Sequence, residues 1–344
     1  MNPYMAYEAV NTKIVTKKGN ILDENKLEKI LECNTVEQVT EFLKNRYDLK
    51  KIIDDTKSHD LHRDELETLL NRYEVMEIES ILHYFSGPYK EFLQVLLMEF
   101  EISDLALILR KIATGEELNG IEKRFIHSEN YSSLPYNKLM ASKSVLQFIE
   151  NLKNTPYYHF LKTVTDSDVV KREFHIEMKL QLLLYKSLLN KSEKLSALDK
   201  KVAQEIIGLK IDFLNVQWIY RAKKYYNISP EQMLIYSIQG GEKLNFGKLK
   251  KLCYSKSVDE IKQLSNEYLR YSIFTTNNET DIERNIDSYM YSYVQNRKYQ
   301  GTIGSVLSYI FMLGIVINNF ITVTEGIRYK LPKEDLKKYL VRSK

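Results

Sequence analysis

The sequence predicts an all-α protein made of three similar helical bundles, diverged copies of one unit of roughly 110 residues. Three observations predict it. Only 12 Gly and 6 Pro punctuate 344 residues, so the segments between breakers are long, which favours helices over short, turn-separated strands. Apolar residues recur at helical spacing, with no alternating strand pattern to compete. Two unrelated motifs return in the same order with nearly the same period.

The first motif is a Leu or Ile, four intervening residues, a Ser/Thr followed by Val, and an apolar residue three further on. It occurs at Ile30, Thr35, Val36 and Val39; at Leu139, Ser144, Val145 and Phe148; and at Leu252, Ser257, Val258 and Ile261. Each copy predicts a helix start, because a Ser or Thr hydroxyl accepts a backbone N–H two or three residues on, and the apolar residues at i and i+3 share one face. Glu37, Gln38, Asp259 and Glu260 fall in first turns, where the helix dipole favours acids. Val36 to Val145 is 109 residues and Val145 to Val258 is 113.

The second motif is an Asp or Asn followed by an apolar residue, with a charged side chain six positions after the Asp or Asn. Asp104 leads to Arg110, Asn215 to Arg221 and Asn319 to Glu325, at intervals of 111 and 104 residues. These six residues are repeat-equivalent candidates for helix packing or for an interface. The expected units are residues 1–120, 121–228 and 229–344. Expected helices run in order over 24–31, 35–45, 63–83, 89–113, 142–152, 168–190, 196–225, 230–237, 245–252, 257–272, 279–297, 302–325 and 333–342. Gly87 with Pro88, Gly115 to Gly120, Pro135, Pro156, Pro230, Gly240 with Gly241, and Pro332 mark the breaks.

Composition narrows the function classes. With 44% apolar and 28% charged residues the chain is not of disordered type, and 50 basic against 46 acidic side chains leave a net charge of only +4. No basic field of the nucleic-acid-binding kind is built in, so nucleic acid is not an expected partner. Cys33 and Cys253 stand far apart with no second Cys or His at ligand spacing, as expected of reduced thiols in a reducing compartment. Met1 to Val15 lacks the charged region, apolar core and cleavage site of a secretion signal, so a cytoplasmic protein is expected. The stretch from Tyr299 to Thr324 has no charge and nearly fills a membrane-spanning length of about 20 residues. Ser305, Ser308, Asn318, Asn319, Thr322 and Thr324 would each need a partner in lipid, so a central helix covered on all faces by other helices is expected instead.

No reaction centre is legible. The nearest approach to a phosphate-binding loop has five residues between Gly241 and Gly247 where four are needed, and Leu249 stands where a Ser or Thr must hold magnesium. His59 and His62, beside Asp60, Asp64 and Glu65, have helical ligand spacing, but a stretch this charged reads first as solvated surface. His83, His127, His159 and His175 are scattered and are expected to pack or face solvent. No serine elbow, zinc-protease or dinucleotide motif occurs, so neither catalysis nor a cofactor is expected. Arg221, Lys223, Lys224, Tyr225 and Tyr226, and likewise Lys248, Lys250 and Lys251, mix basic and aromatic character as single-strand binders do, but Tyr also suits cores and protein interfaces.

With these residues in view the chain resembles the component of rotary V/A-type ATPases called C in bacteria and archaea and d in eukaryotes. The matching stretches are Phe174 to Met178, Ile211 to Asn215 leading to Tyr220, Arg221 and Lys223, Tyr226 with Ile228 to Glu231, and Gly314 to Asn319 leading to Gly326, Leu331 and Pro332. Asp104 departs from the family's usual Asn, and the segment through Tyr47 matches loosely. The resemblance implies a funnel of three helical bundles around a pseudo-threefold axis. It further implies a peripheral, non-catalytic central-stalk socket, one copy per complex, between central-shaft subunits of the D and F type and the membrane proteolipid ring. The competing expectation is a helical-repeat scaffold for another protein or RNA.

Overall fold

Short polar side chains placed before apolar runs decide where the helices of this chain begin. The computed structural model describes residues 3–21, 24–46, 63–165, 173–226, 228–276, 278–297 and 299–341, and every regular element among them is helical. Helices α1 (Pro3–Ile21), α2 (Glu24–Leu31) and α3 (Val36–Arg46) precede α4 (Arg63–Leu82), α5 (Gly87–Gln94) and α6 (Met98–Thr114). Then come α7 (Tyr136–Met140), α8 (Val145–Asn151), α9 (Pro156–Leu161), α10 (Glu173–Ser192) and α11 (Ala197–Arg221). The chain continues with α12 (Pro230–Tyr236), α13 (Phe246–Cys253), α14 (Val258–Leu269), α15 (Glu279–Gln295), α16 (Ile303–Arg328) and α17 (Lys333–Tyr339). His59 and His62 lie outside the described residues.

The first sequence motif gives one cap at three places. Thr35, Ser144 and Ser257 accept the N–H of Gln38, Gln147 and Glu260 at 3.3, 3.2 and 3.2 Å. Gln38, Gln147 and Glu260 reach back to accept the N–H of Asn34, Lys143 and Lys256 at 2.8, 2.9 and 2.6 Å, a reciprocal cap that satisfies two free donors at each helix start. Ile30, Leu139 and Leu252 on one side of the cap, and Val39, Phe148 and Ile261 on the other, are all fully buried. A further element of the motif lies just upstream. Cys33, Ser142 and Ser255 donate to the carbonyls of Lys29, Lys138 and Lys251 at 3.8, 3.1 and 3.1 Å, so both the lysine and the small polar residue recur.

Helix α16 is the hub of the molecule. It packs against α1, α3, α4, α11, α15 and α17. Among the described residues it alone is long and apolar enough to cross a membrane, but most of its apolar stretch is buried inside the protein. Several of its polar groups find partners there: Ser305 donates to Asn11 at 2.8 Å, Tyr309 to Glu77 at 2.5 Å, and Thr324 to the Phe320 carbonyl at 2.8 Å, whereas the Ser308 hydroxyl is buried without one among the described residues. Such satisfaction inside a protein core marks a central helix. Gly304 lets it approach α11, because a side chain there would strike Val202 and Tyr299.

The structure adds α1, for which the sequence predicts no element. Its Val10 and Ile14 are buried, and Lys17 reaches the carboxylate of Glu77 on α4 at 2.5 Å, the same carboxylate that Tyr309 of α16 holds. The N-terminal helix thereby joins the first and last long helices of the chain. A buried carboxylate is tolerated because a cation and a hydroxyl share it.

Three helices start together. The residues before α5, α11 and α16 are Ser86, Ser196 and Thr302, and Ser196 and Thr302 cap their helices through their hydroxyls. Asp199, in the first turn of α11 and 5% exposed, accepts from Tyr89 of α5 at 2.6 Å, from Ser196 at 2.8 Å and from the Ile303 N–H of α16 at 2.8 Å. One acid at converging helix N-termini is favoured by all their dipoles.

Candidate functional site

Asp104, Asn215 and Asn319 are buried on α6, α11 and α16, and each grips the backbone 22 or 23 residues further on. Asn215 donates to the Ile238 carbonyl and accepts the Ile238 N–H, both at 2.8 Å. Asn319 treats Val341 the same way, at 2.8 and 3.0 Å. Asp104 has no amide to donate and takes donors only: the Ile126 N–H at 3.0 Å, the His127 N–H at 2.9 Å and His127 Nδ1 at 2.7 Å. The departure from Asn is thus matched by a histidine in the gripped loop. His127, expected simply to pack or face solvent, also stacks on Tyr136 with ring centroids 3.8 Å apart.

The charged partners of these residues are placed differently. Arg110 is exposed, whereas Arg221 and Glu325 are of intermediate exposure. Asp104 and Arg110 line one groove, between α4, α6 and α10, and Asn319 and Glu325 line another, between α15, α16 and α17. The basic and aromatic cluster after Arg221 forms a π turn over Ala222–Tyr226, in which Lys224 donates to Tyr220 at 2.9 Å and covers the Tyr220 and Tyr225 rings. The loop at Gly241 is held by Asp212, which accepts the N–H groups of Lys243 and Leu244 at 2.6 and 3.0 Å, and Asn245 then caps α13. A side chain at Gly241 would collide with that carboxylate.

Between the two grooves lies a central cavity of about 360 Å³, sharing Glu67, Asn71 and Ser103 with one and Asp287 and Asn318 with the other. Five residues before each clamp stand Glu99, Lys210 and Gly314, and all three line this cavity. Equivalent positions of α6, α11 and α16 therefore face one common space. Glu74 of α4 lies over Gly314, where an added side chain would meet its Oε1 at 3.0 Å.

The cavity is electrostatically uneven. Burial, with the charge of Glu99, pushes the Glu74 carboxyl up to about 8 against the opposing pull of Lys210. Burial likewise raises Asp287 to about 6. Lys210 would be lowered by burial, but Tyr185, Glu99 and Asp287 hold it above the usual lysine value, and its ammonium lies 4.8 Å from the centre of the Phe311 ring. Glu99, Lys210 and Gly314 are chemically unlike, so no sequence pattern marks them; the spacing from the clamps is the signal that finds them.

The fold defines a class: an all-helical protein organised around recurrent backbone clamps. The chain belongs to the ATP synthase (C/AC39) subunit family, whose model matches residues 10–339, and it is accordingly a structural rather than a catalytic component. It is similar to the C subunit of the A-type ATP synthase of Methanosphaera stadtmanae, with 25% identity over 98% of this chain and 88% of the relative. It is similar also to the C subunits of the A-type ATP synthases of Methanosarcina mazei, 22% identical over 75% of this chain and 70% of the relative, and Archaeoglobus fulgidus, 25% identical over 59% and 58%.

Proposed function

We propose that this chain is the central-stalk socket of an A/V-type rotary ATPase, a peripheral subunit on the cytoplasmic face of the membrane. One copy couples the rotating shaft, of D-type and F-type subunits, to the membrane proteolipid ring and so to ion transport. The three units, 1–120, 121–228 and 229–344, stand around a pseudo-threefold axis, with the cavity on it. The observation that carries this reading is the meeting of Glu99, Lys210 and Gly314, three repeat-equivalent positions, at one hollow.

A socket that passes torque needs stiffness and two faces of different character. The Asp199 junction, the Glu77 node and the three backbone clamps each tie elements distant in sequence through buried, charge-assisted or paired hydrogen bonds. Cavity and grooves offer both polar and apolar surface, as contact with a shaft of helices requires.

The test is capture of shaft subunits and of detergent-solubilised proteolipid ring by the full-length chain. Retention of both is expected; retention of neither refutes the proposal.

A further inference from the structure

We infer that the central cavity receives a cationic side chain, a lysine or arginine carried at the tip of its occupant. The inference rests on the socket reading and adds the chemistry of the contact. Glu67, Glu74, Glu99 and Asp287 face the cavity against one base, Lys210, in a chain whose net charge is positive. Lys210 lies within electrostatic reach of Glu99, Asp287 and Tyr185, which hold it charged. Glu74 is half-buried, lines the cavity and makes no hydrogen bond among the described residues, so one carboxylate there has no protein donor of its own.

An apolar tip would bury the Glu74 carboxylate unanswered, and an acidic tip would meet like charge. No three His, Cys, Asp or Glu among the described residues stand close enough to hold a metal ion, which favours a long side chain over a bare cation. A cation entering beside Glu74 would also displace its proton. Glu67 on the same helix, Glu99 of α6, Lys210 of α11, Asp287 of α15 and Tyr309 of α16 are the other titratable groups around it.

The experiment measures calorimetric binding of the shaft subunits to full-length chain carrying Glu74→Gln with Asp287→Asn, Glu74→Gln alone, or Ser103→Trp, an exposed position at the cavity mouth. The double variant is expected to bind at least tenfold more weakly with a flatter salt dependence. Wild type is expected to release a proton near pH 7, seen as a buffer-dependent heat that Glu74→Gln abolishes. Wild-type affinity and salt slope in both charge variants, with Ser103→Trp blocking binding, would overturn the inference and leave the socket standing. Undiminished binding by Ser103→Trp would overturn both.

Discussion

Asn215 and Ile238 close a two-bond ring in which one side-chain amide reads both backbone groups of a residue 23 positions away, each at 2.8 Å. Both partners are buried, so neither water nor another group replaces the amide. Asn215→Ala leaves a donor and an acceptor unmet, and the expected loss of stability is on the order of 3 kcal/mol. Asn215→Asp is expected to be worse than a lost bond alone, since its carboxylate would face the Ile238 carbonyl. Chemical denaturation measures both; a change below about 1 kcal/mol for Asn215→Ala speaks against the clamp.

The reciprocal caps predict a set of small, matched effects. Thr35→Ala, Ser144→Ala and Ser257→Ala each remove one acceptor from a helix start and should each cost about 1 kcal/mol. The three sites are far apart in sequence and share no partner, so the triple variant should lose the sum. Strong non-additivity in denaturant titrations would mean that the copies are not equivalent.

Asp199→Asn tests the junction of the three helix starts. The amide keeps one acceptor but presents a donor toward Tyr89 or the Ile303 N–H, and it removes the charge favoured by the helix ends. A loss of about 2 kcal/mol is expected, against about 0.5 kcal/mol for an exposed acid. Thermal melts of Asp199→Asn beside Asp259→Asn, an exposed first-turn acid of α14, make the comparison.

These effects show what the sequence could reveal. The caps were legible because donor and acceptor sit three or four residues apart and their chemistry is local. Asp104, Asn215 and Asn319 were legible as a period, but their partners at Ile126, Ile238 and Val341 were not, because a contact across 22 or 23 residues leaves no local trace. Helix α1 escaped because its apolar residues, interrupted by Asn11, Thr12 and Lys13, form no clear stripe, and burial under α16 supplies what periodicity does not. The lysines at 29, 138 and 251 were present as a signal in the sequence, four residues ahead of Cys33, Ser142 and Ser255. The cavity was hidden because the three positions that meet there, Glu99, Lys210 and Gly314, are chemically unlike.

Glu74 gives a pH signature. Its folded value of about 8 lies above the ordinary 4.5, so its contribution to stability is complete below the unfolded value and is lost as pH rises through 8. Glu74→Gln removes that loss. The melting temperature of the variant should therefore gain on wild type between pH 5 and pH 9 on the scale set by that shift. A gap that stays constant across the range contradicts the burial of this carboxyl.

The most direct test of the socket is native mass spectrometry of the full-length chain mixed with both shaft subunits and the detergent-held proteolipid ring. The account predicts a single species holding ring, shaft and one copy of this chain, with ring and shaft absent from each other when the chain is omitted. Ring and shaft that compete for the chain, or that join equally well without it, would contradict the account.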